Sequence, residues 1–336
     1  MQGDLTLDPA TVERFRADLE ALMEQPAPAR QLGVAVSGGG DSLALLLLAH
    51  AAFPGRVAAA TVDHELRREA AAEAQHVERL CASLGMPHAT LRLGPQRSVE
   101  RANLQDRARA TRYWLLGEWA AERGVTYIAT GHQRDDVAES FLMRAARGAG
   151  VTGMAAMRTK RPNDGPGYRT VIVRPLLTWS RAELAEIVGN AKIAAVDDPS
   201  NVDPRFDRAR MRLRIADDPD LPPDRLARAA ANLRHVEDAL EWVMDSEVKS
   251  RFELAADDTV WLQADGLPFE LSRRLVRAAI DEVRLENGMF DEWRDTSVPD
   301  LVRSLEAGRG GTIADVQARI SKGRWHFRPA PPRRTG

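Results

Sequence analysis

Apolar residues in the first half of the chain form short continuous runs that alternate with longer stretches of helical spacing. The predicted strands cover residues 32–36, 56–62, 88–93 and 126–130. The predicted helices cover residues 42–52, 69–84 and 103–123, and an N-terminal helix over 8–24 precedes them. Strands separated by helices of this length are typical of βαβ units and predict an α/β fold with a doubly wound parallel sheet. Ligands bind such sheets beyond the carboxyl ends of the strands.

A polar, proline-rich segment over residues 217–223 has the composition of a linker. Beyond it, apolar residues at helical spacing predict one long helix, followed by helices over 268–286 and 297–307. Residues 312–327 alternate loosely and predict short strands. We therefore expect a catalytic domain over 1–216 and a smaller, mainly helical C-terminal domain over 224–336.

Hydropathy, the N-terminal residues and the cysteine content indicate in which cellular compartment the protein is expected. The longest apolar run, Leu43 to Ala49, is far shorter than the roughly 20 residues that a bilayer span needs, so we expect no membrane segment. The first thirty residues carry several acids, which argues against a secretory signal or a transit peptide. A single cysteine, Cys81, excludes an internal disulfide and any CxxC metal site. These features predict a cytoplasmic protein, and the sequence leaves a homodimer open.

The net charge of −2 hides an uneven layout. Residues 144–214 contain fourteen Arg and Lys against seven Asp and Glu, and residues 322–336 contain five basic residues and no acids. Clustered positive charge indicates a surface for a polyanion such as nucleic acid. An arginine-rich, solvated surface is the alternative explanation.

The turn between the first strand and the next helix carries the strongest chemical signal. Gly38, Gly39 and Gly40 allow close backbone approach to a ligand, and the helix N-terminus favours an anion. Ser37 and Ser42 add hydroxyl donors. Asp41 would repel phosphate unless a cation intervened, so its presence indicates Mg²⁺ held between carboxylate and polyphosphate. The alternative is a plain strand–helix turn with a capping Asp or Ser.

This stretch, Ser-Gly-Gly-Gly-Asp-Ser at 37–42, resembles the SGGxDS loop of the N-type ATP pyrophosphatases, or PP-loop superfamily. The resemblance implies an adenine nucleotide alpha-hydrolase-like fold, with ATP bound through its pyrophosphate and an adenylated intermediate. Several synthetases and tRNA thiolases share this loop, so the loop indicates the chemistry and leaves the substrate open.

Five further stretches between about residues 34 and 214 resemble motifs of tRNA(Ile)-lysidine synthetase. They are Asp-His-Glu-Leu-Arg at 63–67, Gly-His-Gln-Arg-Asp-Asp at 131–136 with Glu139 and Ser140, Arg-Gly-Ala-Gly at 147–150, Arg-Pro-Leu-Leu at 174–177 with Arg181 and Glu183, and the arginine-rich 198–212. The family usually has Thr where this chain has Ser140, which keeps the hydroxyl.

The resemblance implies an ATP- and Mg²⁺-dependent ligase. Its substrates would be free L-lysine and an isoleucine tRNA with the anticodon CAU. Lysine would be joined to C2 of the wobble cytidine through an adenylated cytidine, with release of pyrophosphate and AMP. The product, lysidine, would change decoding from AUG to AUA. The C-terminal domain is expected to contribute to tRNA binding.

The same resemblance implies site residues. The expected catalytic residues are Asp41, Arg112, Asp136 and Glu139. ATP is expected at Ser37, Gly38, Gly39, Gly40, Asp41, Ser42, Asp63, Gly131, His132 and Arg208, with Mg²⁺ at Asp41 through the phosphates. Lysine and RNA are expected at Asp135, Asp136, Glu139, Arg147, Arg174, Asn201, Arg205 and Arg212.

We hypothesise that the carboxylates of Asp135, Asp136 and Glu139 hold the amines of lysine, since Asp136 and Glu139 can share a helical face. A purely structural explanation is the alternative for most of these residues. The three acids would favour a helix dipole, Asp63 and His64 would form a strand-end turn, and Arg112 and the arginines of 205–214 would face solvent.

Other functions are weaker fits. Thiolation of tRNA needs paired cysteines, and this chain has one. A synthetase acting on a small metabolite would keep the ATP loop without needing basic clusters. A silent RNA-binding module would be expected to have lost residues of the loop or of the acidic group.

Overall fold

The computed structural model describes residues 7–23, 32–63, 70–92, 104–196, 203, 205–291, 293 and 295–331, with the side chains of 104–108 excepted. The chain forms two compact units, one ending at Arg234 and the other beginning at His235. Within the described ranges, no helix combines the length and the hydropathy that a membrane crossing requires.

The first unit is built on a six-stranded sheet. Its strands are β1 Leu32–Ala35, β2 Val57–Asp63, β3 His88–Arg92, β4 Tyr127–Thr130, β5 Lys160–Gly165 and β6 Tyr168–Val173. Their order is β3-β2-β1-β4-β6-β5, and β5 alone among these described strands runs antiparallel to its neighbour. The predicted α/β fold with a doubly wound, mainly parallel sheet is therefore confirmed.

Helices cover the sheet. They are α1 Pro9–Glu20, α2 Gly40–Ala52, α3 Ala70–Ser83, α4 Leu104–Glu122, α5 Arg134–Ala146, α6 Val151–Met154, α7 Arg181–Asn190 and α8 Asp207–Asp217. The helix α2 packs with α1 and α7 in the main core, and α4 contributes to a second cluster. The run of leucines in α2 is fully buried, which explains why this helix is apolar on all sides.

The strands β1 and β4 mark the place where the winding reverses. They are neighbours, but the chain continues from β1 to β2 on one side and from β4 to β6 on the other. In doubly wound sheets this reversal opens a crevice at the carboxyl ends of the two strands. The glycine loop follows β1 and Gly131 follows β4, so both lie at that crevice.

The hairpin of β5 and β6 was not predicted. The sequence of β5 is polar and contains Pro162, and such a strand is tolerated at a sheet edge, where one side makes no ladder hydrogen bonds. A Pro166–Gly167 turn joins the two strands, and Gly167 has φ +87°, a conformation that favours glycine.

The second unit combines helices with a five-stranded antiparallel sheet. The helix α9 covers Pro223–Arg251, and its part from His235 onward belongs to this unit. The other helices are α10 Phe269–Glu286, a short 3-10 helix Asp295–Ser297 and α11 Val298–Glu306. The strands are β7 Phe252–Leu254, β8 Val260–Leu262, β9 Gly311–Ile313, β10 Val316–Ser321 and β11 Arg324–Pro329, in the order β7-β8-β11-β10-β9. The sequence predicted the last strands, whereas β7 and β8, of three residues each, were missed.

The division between the units lies inside α9, further along the chain than the predicted linker over 217–223. The Ala156 N–H donates to the carbonyl of Ala230 at 2.9 Å, and the guanidinium of Arg234 donates to the carbonyl of Ala156 at 3.0 Å. These bonds explain why the first turns of α9 belong to the first unit.

Candidate functional site

The glycine loop is held in shape by hydrogen bonds between its own residues. The Ser42 hydroxyl donates to the carbonyl of Gly39 at 2.8 Å and accepts from the Ser37 N–H at 3.1 Å. Gly38 has φ +88°, and its carbonyl accepts from the Val196 N–H at 3.0 Å. The sharp turn is therefore fixed at both of its ends.

The helix α2 begins without a side-chain cap. Its N-cap residue is Gly39, which has no side chain to cap the helix, whereas capping boxes built on Gln133 and Ser180 cap α5 and α7. The first N–H groups of a helix need a partner, and together with the helix dipole they favour an anion. The loop and α2 thus form a cradle for phosphate groups.

Gly131 presses against this cradle from the end of β4. A Cβ atom at Gly131 would lie 3.0 Å from the backbone nitrogen and from the Cα of Ser42. These neighbours are backbone atoms at the start of α2, so they cannot rotate away. A side chain at this position would force the start of α2 to shift, so glycine allows the end of β4 to approach the start of α2 closely.

A cavity of about 560 Å³ opens over the loop. The predicted site residues that line it are Ser37, Gly39, Gly40, Asp41, Ser42, Arg112, Gly131, His132, Asp136, Arg208 and Arg212. Tyr113, Arg181, Ala195 and Val196 also line it, with apolar residues of β1 and β2. The structure therefore brings most of the predicted site into one chamber.

Asp41 lies in the first turn of α2 and faces this chamber. Burial and the neighbouring carboxylate of Asp136 raise the pKa of Asp41 to about 6, against the pull of Arg181 and Arg212. At neutral pH the carboxylate is ionised but poorly stabilised by its surroundings. Such a group would be stabilised by a cation, and the magnesium site expected at Asp41 stays a prediction.

Glu139 is the centre of an ion-pair network. It is 1% exposed and accepts hydrogen bonds from Arg208 at 2.8 Å, from Arg212 at 2.9 Å and from Arg181 at 2.9 Å. Burial alone would raise the pKa of Glu139, but the hydrogen bonds from Arg212 and Arg208 outweigh it and lower the pKa. Glu139 is therefore a permanent anion that orients three guanidinium groups.

Asp136 lies one helical turn before Glu139 and shares two of these arginines, Arg208 at 2.7 Å and Arg181 at 3.5 Å. One of its oxygens also accepts the Gln133 N–H at 3.1 Å as part of the capping box of α5. Burial raises the pKa of Asp136, and Arg208 opposes that effect. Asp136 lines the cavity, whereas Glu139 lies behind it.

Asp135 has a different role in the structure from Asp136. Its carboxylate accepts the backbone N–H of Arg181 at 2.9 Å, and the N–H of Arg134 donates to the carbonyl of Trp179 at 2.9 Å. These two bonds join the first turns of α5 and α7. Asp135 thereby positions Arg181 and is not among the residues that line the cavity.

His132 follows Gly131 at the cavity wall. Burial and the nearby Arg174 and Arg109 lower the pKa of His132 to about 3, so the imidazole is neutral at physiological pH. Its Nδ1 lies 2.9 Å from the Thr130 hydroxyl, in hydrogen-bond contact. A neutral ring can bind a nucleoside through hydrogen bonds but adds no charge to a phosphate site.

Several predicted residues lie outside the cavity lining. Asp63 ends β2, is 4% exposed and pairs with Arg92 at 3.3 Å. Arg174 is buried and donates to the carbonyl of Arg158 at 2.6 Å. Arg147 pairs with Asp207, and Arg205 pairs with Asp203 at 2.6 Å. Asn201 and His64 lie outside the described residues.

Two features of the site were missed from the sequence. Arg181 lies in one of the motif stretches but was not predicted as a site residue, yet it contacts both Glu139 and Asp136. Ala195 and Val196 also line the cavity, and the Val196 N–H donates to the carbonyl of Gly38. The apolar Ala194–Ala195–Val196 run after α7 was the available signal.

Cys81 is a core residue, as expected. It is fully buried in the main hydrophobic cluster, and burial raises the pKa of its thiol to about 12. A thiol in that state is neither a nucleophile nor a metal ligand at neutral pH. This observation removes sulfur chemistry at the only cysteine of the sequence.

Comparison with known proteins adds the family. Residues 11–218 match the PP-loop domain. A tRNA(Ile)-lysidine synthase of Zymomonas mobilis subsp. mobilis is 38% identical over 338 residues, which cover 99% of this chain and 99% of that protein. A tRNA(Ile)-lysidine synthase of Novosphingobium aromaticivorans is 38% identical over 325 residues, covering 96% and 94%.

A solved structure supports the fold. The U34-tRNA thiolase NcsA from Methanococcus maripaludis aligns with a TM-score of 0.53 at 14% identity, covering 67% of this chain and 79% of that one. At this identity the likeness concerns the fold alone.

Proposed function

We propose a function from one premise: the chain belongs to the tRNA(Ile)-lysidine synthase family of PP-loop proteins. The protein joins L-lysine to C2 of the wobble cytidine in the CAU anticodon of an isoleucine tRNA. It uses ATP to adenylate that cytidine and releases pyrophosphate and then AMP. The modified anticodon reads AUA in place of AUG.

The observation that carries this proposal is a single cavity that joins the phosphate cradle to an acidic and basic cluster. The cradle consists of the uncapped start of α2, the loop Ser37–Ser42 and the close contact at Gly131. These features fit a nucleotide polyphosphate. The chain's own contribution is to fix the phosphates relative to the reacting base.

Asp41 is the residue proposed to hold Mg²⁺. Among the described residues, no three His, Cys, Asp or Glu side chains cluster as a metal site. A magnesium ion held by one carboxylate and by substrate phosphates fits this situation, since Mg²⁺ often binds through few protein ligands. The bound ion would supply charge stabilisation for the phosphate oxygens.

The three arginines provide the complementary charge. Arg208 and Arg212 come from α8 and Arg181 from α7, and all three line the cavity while they contact Glu139. Guanidinium groups fixed beforehand by a buried carboxylate can stabilise negative charge that develops on a phosphate, without reorganisation during the reaction. We propose that Glu139 acts through these arginines.

Lysine is proposed to bind at Asp136. Asp41 and Asp136 are the acidic residues among those that line the cavity, and Asp41 is assigned to Mg²⁺. Burial raises the pKa of Asp136, which suits a carboxylate that accepts the proton of the attacking amine. The direct contact of Glu139 with lysine stays a prediction, because its described partners are arginines.

Replacing Asp136 with Asn tests this assignment. The change should raise KM for lysine at least about tenfold, since an ionic hydrogen bond is worth about 1.5–3 kcal/mol, and leave KM for ATP within about threefold. The matched control is Asp164→Asn, an exposed acid on β5. Unaltered lysine kinetics in the Asp136 variant would exclude its contact with lysine.

The function itself is tested by incubating the protein with ATP, Mg²⁺, radiolabelled lysine and an isoleucine tRNA with a CAU anticodon. Label should enter the RNA, and nuclease digestion should place it at the wobble nucleotide. A second arm replaces the wobble cytidine with uridine and should abolish incorporation. Exchange of pyrophosphate into ATP without any tRNA, together with unlabelled RNA, would favour a synthetase for a small metabolite.

A further inference from the structure

The antiparallel sheet of the second unit has two faces of different chemistry. Alternate side chains of β8, β10 and β11 join the core with α10 and α11: Val260, Leu262, Val316, Ala318 and Phe327. The residues between them point to the opposite side, because successive side chains of a strand alternate. Six of these define the outer sheet face: Trp261, Gln317, Arg319, Arg324, His326 and Arg328.

Strand register places aromatic and basic groups of this face side by side. Trp261 is opposite His326, and their ring centroids lie 4.8 Å apart. His326 is in turn opposite Arg319 on β10. The guanidinium of Arg324 lies 5.4 Å from the centroid of the Trp261 ring. The two rings are inclined to each other by 33°, so the face has a close, tilted aromatic pair flanked by guanidinium groups.

The charge of the face is positive. Arg319 and Arg328 are exposed, and Lys322 is exposed in the turn that joins β10 to β11. Glu253 balances part of this charge by pairing with Arg324 at 2.7 Å. Burial, Arg328 and Arg319 lower the pKa of His326, so its ring is an uncharged aromatic surface at neutral pH.

A depression of about 340 Å³ borders the face. Its wall consists of residues 308 and 310–312 before and within β9 and of Gln317, Arg319 and their neighbours on β10. The chain passes very close here, since a Cβ at Gly310 would lie 2.4 Å from the carbonyl oxygen of Ala318. The outer sheet face therefore continues into a pocket that has a guanidinium at its edge.

We propose that the outer sheet face binds unpaired nucleotides of the RNA substrate. The inference rests on the proposed function, because that function supplies an RNA. Surfaces for single-stranded nucleic acid combine rings on which bases stack with cations that follow the phosphates. Trp261 and His326 offer the rings, and Arg319, Arg328 and Lys322 offer the cations. A protein partner would instead need an interface centre with few charged residues. At the centre of the outer sheet face, charged side chains flank the two rings.

Binding of the tRNA to variants of the full chain tests the proposal. Trp261→Ala should raise the Kd by about 5- to 150-fold, the range found for loss of one base–aromatic stack, and Trp261→Phe should restore most of the affinity. Arg319→Gln with Arg328→Gln should lower the slope of log K against log salt by about 0.7 for every phosphate that is no longer neutralised. The control is Arg277→Gln, since Arg277 lies on α10 and also contacts a tryptophan ring, Trp293.

Two truncated RNAs identify the unpaired segment. One is the isolated anticodon stem-loop and the other is the tRNA without its 3′-terminal nucleotides. If Trp261→Ala still raises the Kd for the isolated stem-loop, the anticodon loop binds to the outer sheet face. If the substitution no longer raises the Kd for the shortened tRNA, the 3′ end binds there. Unchanged Kd and salt slope in the variants, with wild-type protein that binds and modifies tRNA, would overturn the proposal alone. Wild-type protein that binds ATP but no tRNA would overturn the proposed function instead.

Discussion

The most informative single residue is Asp41, a carboxylate placed where its ionised form is poorly stabilised. Burial and Asp136 raise its pKa to about 6 from the ordinary 3.8. An acid whose pKa is higher in the folded state takes up a proton more readily when folded. Ionised Asp41 therefore lowers the free energy of unfolding above about pH 6, and the effect disappears as the pH falls toward 4.

Replacing Asp41 with Asn should therefore have opposite effects on stability and on nucleotide binding. At pH 7.5 the ligand-free variant should gain about 1–2 kcal/mol in free energy of unfolding, a value reduced from the full pKa difference because the group is partly solvated. Its affinity for magnesium-ATP should fall, and wild-type affinity should also weaken as the pH drops below about 6. Urea unfolding at pH 7.5 and 4.5 checks the first effect and calorimetric titration the second. Lower stability at pH 7.5 would contradict the assignment.

Gly131 tests the packing behind the phosphate cradle. In Gly131→Ala the new methyl group would meet backbone atoms of Ser42 at 3.0 Å, and we expect the free energy of unfolding to fall by about 1–3 kcal/mol. The start of α2 must shift, so the Kd for ATP should rise at least about tenfold, equivalent to 1.4 kcal/mol.

The control is Gly189→Ala in α7, where nothing lies within 4 Å of the added Cβ. Alanine is the better helix former, so this variant should keep ATP affinity and gain up to about 1 kcal/mol. Equal ATP affinity in both variants, measured by calorimetric titration, would show that Gly131 does not support the cradle.

Sequence reasoning identified residues whose chemistry is local and missed one whose role depends on tertiary contact. The glycines and Asp41 could be interpreted from neighbours within the same turn. Arg181 could not, since its carboxylate partners Asp136 and Glu139 are 45 and 42 residues away. The same distance explains why the arginine partners of Asp136 and Glu139 could not be predicted from the sequence, while lysine binding at these carboxylates stays a prediction.

At the scale of elements, the contact between α5 and α7 raises two possible roles for Asp135: it positions α7, or it contacts lysine directly. Its carboxylate accepts the Arg181 N–H at 2.9 Å, and Asn can accept the same bond through its side-chain oxygen. Asp135→Asn should therefore keep the lysine KM within about twofold. Asp135→Ala should lose about 1–2 kcal/mol in free energy of unfolding, as a hydrogen-bond partner is removed, and impair turnover by displacing Arg181.

Steady-state kinetics and urea unfolding of the two variants check this prediction. If Asp135 instead held lysine by its charge, the Asn variant would already show the higher KM. The comparison therefore decides between positioning of α7 and direct substrate contact, the role first expected for this residue.

The elements that could be predicted are those whose amino-acid composition reflects their burial in the fold. The strands β1, β2 and β4 are apolar because they are central in the sheet, and α2 is apolar because it is buried all round. The strand β5 is polar and contains a proline, because it forms an edge and exposes half of its residues. Its pairing with β6 depends on tertiary contacts such as that of Asn163 with the carbonyl of Tyr113 at 3.0 Å.

At the scale of the molecule, the structure changes the meaning of the basic segment over 144–214. Composition suggested a broad surface for a polyanion, but several of its arginines are committed to acids of the same unit. Arg208 and Arg212 contact the buried Glu139, and their positive charge therefore belongs to the cavity. Arg205 and Arg210 remain exposed beside Asp203 and Asp207. Counting charges along a sequence cannot separate these two groups, because the separation depends on which arginines of α8 and of the turn before it contact Glu139.

This separation predicts different salt dependences for tRNA binding. Neutralising the exposed pair with Arg205→Gln and Arg210→Gln should flatten the slope of log K against log salt by about 0.9 for each phosphate that the protein no longer neutralises. The control Arg303→Gln removes an equally exposed arginine from an i,i+3 ion pair in α11 and should leave the slope unchanged. Arg208→Gln should leave the slope nearly unchanged as well, while it slows turnover, because it removes a cavity charge. Filter-binding titrations between 50 and 200 mM salt, roughly the range over which such contacts show their effect, measure all three. An unaltered slope in the Arg205 and Arg210 variant would mean that these two arginines do not contact the tRNA backbone.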